Sequence, residues 1–149
     1  MSSRPDDLEP IRIILESADL TGWVRSGGQR MTDLLQAGDP FPFLSGASTG
    51  ADWTEIFPTE TVLVVPPPHV SPPELRAQRT LQRVALRLGD LRVTGTAYLR
   101  PGEQDDHVLR ASRRFLPLTD ASFARGGAAE ETAETVIVNL RRVSEFGTI

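Results

Sequence analysis

The chain has no cysteine and no lysine among its 149 residues. Without cysteine there is no disulfide, no thiolate nucleophile, no iron–sulfur cluster and no structural zinc of the usual kind. Without lysine there is no phosphate loop of the Gly-Lys-Ser/Thr type. All sixteen basic residues are therefore arginine, a usage that fits a GC-rich bacterial coding sequence. No apolar run is long enough to span a bilayer, and no basic segment leads into an apolar one at the N-terminus. These absences point to a cytoplasmic protein with neither a membrane partner nor a cofactor. Only two histidines are present, His69 and His107.

What the chain does contain is an internal match. Residues 11–22 (IRIILESADLTG) fall on 84–95 (VALRLGDLRVTG) at a spacing of 73, and 31–48 fall on 105–122 at 74. The spacing of 74 also lays ETVLVV at 60–65 over ETVIVN at 134–139. Such a period, sought before any local pattern, is the signature of a duplicated supersecondary unit. The organisation expected is a loose N-terminus over 1–9, a first repeat over 10–65, a proline-rich linker over 66–78 and a second repeat over 79–149.

Each repeat reads as ββαββ. Ile11, Ile13 and Leu15, and Val84, Leu86 and Leu88, alternate with their neighbours at the period of a half-buried strand. A second strand follows in each, with a glycine at the same place, Gly22 and Gly95, which predicts a bulge or a close approach of backbone. Met31, Leu34 and Leu35 form a short apolar helical stripe ended by Gly38, the residue suited to a left-handed C-terminus. In the second repeat Val108 and Leu109 hold the stripe, and Asp105 and Asp106 suit the positive helix start. The third strand opens at Phe41 or Phe115 and carries Pro42 or Pro117, which argues for a sheet edge. Equal loops, 49–59 and 123–133, lead to the ETV strands. The fold class expected is α+β, predominantly β, with two repeats packed about a pseudo-twofold axis as antiparallel sheets or small barrels. Phe41, Phe115, Leu44, Leu118, Val62 and Val136 are the expected core.

Motifs with catalytic overtones carry little. Gly46-Ala47-Ser48-Thr49-Gly50 has the spacing of a nucleophile elbow, but that elbow needs a parallel sheet and a later histidine and acid. Asp105-Asp106-His107 lacks the partners at helical spacing that a metal site needs. Arg110-Ala111-Ser112-Arg113-Arg114, followed by Asp120-Ala121-Ser122, is similar to the cyclic-di-GMP signature of PilZ domains, in which arginines grip phosphate. The two elements lie too close together, and Arg125 stands where that signature has glycine. No catalytic and no metal-binding residue is therefore assigned.

RMTDLLQ at 30–36, FLPLTDA at 115–121 and VIVNLRRV at 136–143 resemble the RLSDLLN, FLPLTDA and VAVN segments of short bacterial proteins grouped as a domain of unknown function. The resemblance implies a small β-rich module and brings no catalytic residue with it.

Charge then separates the repeats. Residues 1–73 hold four arginines against ten acids, −6, and residues 74–149 hold twelve against ten, +2. A chain of net charge −4 is a poor general ligand for nucleic acid, which requires a strongly basic face. The expected function is a protein–protein interaction or adaptor module in a regulatory complex, with an acidic protein partner or a second copy of the chain. Divergent positions are the candidates for the partner surface. Arg83, Arg87, Arg110, Arg113 and Arg114 align with Pro10, Ile14, Gln36, Asp39 and Pro40 of the first repeat, whereas Trp23 and Trp53 align with Thr96 and Gly127 of the second. Arginine and tryptophan are the types most enriched at interface hot spots. The alternative is a sensor of a small anion or nucleotide built on the Arg110–Arg114 cluster.

Overall fold

A computed structural model describes residues 8–25, 30–45, 53–67, 80–103 and 105–149. It is mostly β and divides into two compact units, up to Pro67 and from Pro68 onward. That boundary lies within the proline-rich linker expected at 66–78.

In the first unit, β1 (Leu8–Leu15) and β2 (Asp19–Arg25) lead to helix α1 (Met31–Ala37). Strands β3 (Phe41–Ser45) and β4 (Trp53–Ile56), a 3-10 turn at Pro58–Glu60 and β5 (Thr61–Val65) follow. The strands lie in the order β5-β1-β2-β3-β4. In the second unit, β6 (Thr80–Leu88) and β7 (Leu91–Leu99) lead to α2 (Asp106–Ser112). Then come β8 (Phe115–Arg125), β9 (Glu131–Asn139), a 3-10 turn at Leu140–Arg142 and β10 (Glu145–Thr148). The order there is β10-β6-β7-β8-β9. Each unit is thus an antiparallel meander whose fifth strand returns beside its first. The expected ββαββ pattern lacked that fifth strand.

The match over the first two strands is reproduced in the pairing. Ile11 lies opposite Gly22 and Ile13 opposite Leu20, as Val84 lies opposite Gly95 and Leu86 opposite Val93. The ETV match is not reproduced. Residues 61–65 form a fifth strand paired with β1, whereas 135–139 belong to a fourth strand paired with β8. Val64 faces Ile13 and Phe146 faces Leu86, so these equivalent fifth-strand positions lie 82 residues apart rather than 74. The difference arises because β8 and β9 form one long hairpin that absorbs the loop expected over 123–133. Val62 and Val136 are both buried, but in strands of different rank.

Burial explains most of the remaining elements. Phe41, Phe115, Leu118, Val62 and Val136 are in the core as expected, whereas Leu44 is only half-buried. The reason is strand alternation: Phe41 and Phe43 point inward, which turns Leu44 to the outer face. Leu8 is buried and Glu9 lies within β1, where a loose segment was expected over 1–9; residues 1–7 lie outside the described residues. Gly38 ends α1 at φ 82°, its N–H bonded to the Leu35 carbonyl. Asp105 caps α2 by accepting the N–H groups of His107 and Val108. Val108 is 44% exposed, so Leu109 alone anchors that helix.

The prolines do not mark sheet edges, because β3 and β8 each pair on both sides. Pro42 and Pro117 lie one residue beyond the ladder to the preceding strand, which ends at Phe43 in β3 and at Leu118 in β8. The missing N–H therefore breaks no ladder bond there.

Gly95 meets the expectation placed on it. Between Thr94 and Thr96 the register to β8 slips by one residue, and Asp120 on β8 takes φ 48°. Aspartate is one of the few side chains that tolerate the left-handed region. A Cβ on Gly95 would stand 2.8 Å from the Leu118 Cβ and 3.3 Å from the Thr119 carbonyl. Gly95→Ala is expected to lower unfolding stability by about 1–3 kcal/mol through overpacking. Urea denaturation measures it, and a loss under about 0.5 kcal/mol would mean that β8 yields at the bulge.

Candidate functional site

The five arginine candidates of the second unit separate into groups with different employment. Arg113 is not a surface residue, contrary to expectation. Its side chain is 8% exposed and forms a two-pronged pair with Glu103, Nε and Nη2 donating at 3.0 and 2.9 Å. Nη2 also donates to the Tyr98 carbonyl, and Ser112 Oγ donates to the second Glu103 oxygen. Burial pushes the Glu103 carboxyl up, but the Arg100 N–H, together with Arg113 and Ser112, brings it below its ordinary 4.5. Glu103 lies just before α2 and Arg113 just after it, so the pair ties both ends of the helix to the end of β7. Its chemistry is architectural.

Arg110 donates from Nε to Asp106 and from Nη1 to the Val143 carbonyl. The carbonyl of Arg114 accepts the Leu140 N–H. With Arg113 turned inward, Arg110, Arg113 and Arg114 do not form the expected anion cluster. Asp105 and Asp106 are likewise occupied as a helix cap and as the partner of Arg110. Ser48 and the surrounding glycine-serine segment lie outside the described residues.

Arg83 and Arg87 have a different setting. They project with Ala85 from the outer face of β6, opposite Thr96, Thr94 and Arg92 of β7. One rung runs Glu145–Arg87–Arg92–Ala124 across β10, β6, β7 and β8, and the next runs Gly147–Ala85–Thr94–Ser122. The small residues of the second rung floor a groove of about 460 Å³, with Arg87, Arg92, Glu130 and Glu145 along it.

Two arginines directly opposite each other are unfavourable for folding. Arg87 is half exposed and stands 3.7 Å from Glu145, itself 73% exposed, a weak pairing in water. Among the described residues neither Arg83 nor Arg92 meets a carboxylate. Arg83 Nη1 donates to Thr96 Oγ1 and the Asp120 carbonyl at 3.2 and 2.9 Å, and Arg92 Nη2 donates to the Gly126 carbonyl at 3.3 Å. Neutral acceptors thus hold two guanidiniums in place without discharging them, and each keeps donors for a ligand. Arg92 was not among the sequence candidates, although its first-repeat counterpart at the spacing of 73 is Asp19. The signal was available in the β6–β7 turn at Gly89-Asp90, which sets Arg87 against Arg92.

The tryptophans share one outer rung of the first unit, Pro10–Trp23–Leu44–Trp53 across β1 to β4. Trp53 is 38% exposed, and the Arg25 guanidinium lies 5.3 Å from its ring centroid. The rung is an apolar strip with a cation at one end.

Among the described residues no group of three metal-ligating side chains occurs, and no helix is long and apolar enough to cross a membrane. Comparisons with family models, curated proteins and solved structures return no match.

Proposed function

We propose that this chain is a non-enzymatic adaptor of the cytoplasm that binds an acidic surface of a partner protein through the outer face of its second unit. The observation that carries this reading is the arginine set Arg83, Arg87 and Arg92, aligned on two adjacent strands over a small-residue floor, in which Arg87 meets the exposed carboxylate of Glu145 and Arg83 and Arg92 are held by neutral acceptors among the described residues. Arginine at such a site supplies planar, always-charged donors suited to carboxylates. The common element order of the two units supports their origin as copies of one module. In that view the first kept a tryptophan rung and the second acquired arginines. The alternative of a nucleotide or other small anion as ligand moves from the Arg110–Arg114 cluster to this groove.

Arg87→Glu together with Arg92→Glu tests the reading. Both side chains are exposed, so the double variant is expected to melt close to the parent. Partner capture from native extract is expected to fall at least tenfold, and raised salt is expected to weaken the parent complex. Undiminished capture of the same partner by the folded variant contradicts the proposal.

A further inference from the structure

We infer that the groove of the second unit, together with Arg83 beyond its end on β6, reads an extended acidic segment carrying carboxylates at positions i and i+4 with a small residue between them. This rests on the proposed acidic-partner reading and narrows it to one peptide pattern.

Along β6 the outward residues are Arg83, Ala85 and Arg87, and at about 3.3 Å per residue the two arginine rungs lie roughly 13 Å apart. The guanidinium of Arg83 is drawn over β7 and β8 by Thr96 and by the Asp120 carbonyl, which the β8 bulge presents. Arg92 is fixed at the far end by the Gly126 carbonyl. Among the described residues, Ala85, Gly147, Thr94 and Ser122 form the rung between them. An extended chain has the same rise and points residues i, i+2 and i+4 to one side. Laid over β6 and β7 along the strand direction, it sets one carboxylate at Arg83 and the next at Arg87 and Arg92. Its middle side chain must be small to sit over the Ala85 floor.

Charge complementarity selects a peptide over a polyanion. Glu130 and Glu145 line the groove beside the Arg87–Arg92 rung and repel any anion placed there, a continuous line of phosphates more than a single carboxylate held by two arginines. A compact anion such as phosphate engages one end only.

Two blocked peptides of equal composition and charge make the test, Thr-Glu-Thr-Ala-Thr-Glu-Thr and Thr-Glu-Thr-Ala-Glu-Thr-Thr, titrated into the full chain by fluorescence anisotropy at low salt. The first is expected to bind at least fivefold more tightly, because both its glutamates face one side. Arg83→Ala is expected to abolish the preference while Arg83→Lys partly keeps it. Equal affinity of the two peptides, with loss of both in the Arg87→Glu and Arg92→Glu variant, overturns the spacing inference and leaves the acidic-partner reading standing. Peptide binding that ignores that double variant overturns both. Absence of binding by either peptide at millimolar concentration, or displacement of the first by equimolar inorganic phosphate, overturns the inference.

Discussion

Arg113→Ala is expected to cost about 3–5 kcal/mol of stability, because it leaves a buried carboxylate without its counter-charge. Glu103 is 3% exposed at its side chain, which leaves solvent little access to replace two guanidinium donors. The Arg100 N–H and the Ser112 hydroxyl would remain, two donors where there were four. Arg113→Met combined with Glu103→Gln is expected to recover part of the loss, since the uncompensated charge is gone while the amide oxygen still accepts from Arg100. Equilibrium urea unfolding of the three proteins provides the comparison; a cost below about 1 kcal/mol for Arg113→Ala would mean that the pair is open to water.

The same pair sets a pH dependence. Glu103 has its carboxyl below 4.5 in the folded chain, so the folded state holds fewer protons on this group than the unfolded state as pH approaches 4.5. Its contribution is present in full above the unfolded value and is lost as pH falls through the folded one. Acid unfolding of the parent should therefore be steeper below pH 4.5 than that of the Glu103→Gln variant.

Phe115→Ala is expected to cost about 3–5 kcal/mol, the sum of lost transfer energy and an uncollapsed cavity. Phe115 is 1% exposed at the start of β8, directly after α2. It sits opposite Asn139, whose own side chain is committed to the Arg141 N–H at the next turn. Little nearby can move to fill the space. The urea slope is expected to be unchanged while the midpoint falls, and a change of less than about 1 kcal/mol would remove Phe115 from the core.

Local chemistry was legible in the sequence wherever one residue type has one structural use. Gly38 at a helix end, Asp105 at a helix start and Gly95 beside a bulge all follow from backbone conformation or a single capping bond. Long-range pairing was not legible in the same way. The ETV segments are alike because both are buried β-branched strands, and such likeness does not reveal whether a strand is fourth or fifth in its sheet. Pro42 and Pro117 misled because the edge rule concerns a missing N–H, and a ladder that stops one residue short satisfies it equally well. Arg113 looked like a surface cation near a helix end. Its burial depends on Glu103, ten residues earlier, and the first repeat holds Gln29 and Asp39 at the two equivalent places. That joint absence was the available signal. Of the arginine candidates, Arg83 and Arg87 are the two that the fold sets beside Arg92 on one exposed face.

The division of arginines into an interior tie and an outer binding face is the central claim, and arginine side-chain NMR tests it most directly. The Nε–Hε resonances of the chain would be followed as Thr-Glu-Thr-Ala-Thr-Glu-Thr is added. Movement of the Arg83, Arg87 and Arg92 signals, with Arg113 unmoved and slow to exchange with solvent, is the predicted result. Saturable shifts confined to Arg110 and Arg114 or to the indole N–H groups of Trp23 and Trp53, with Arg83, Arg87 and Arg92 silent, would contradict it.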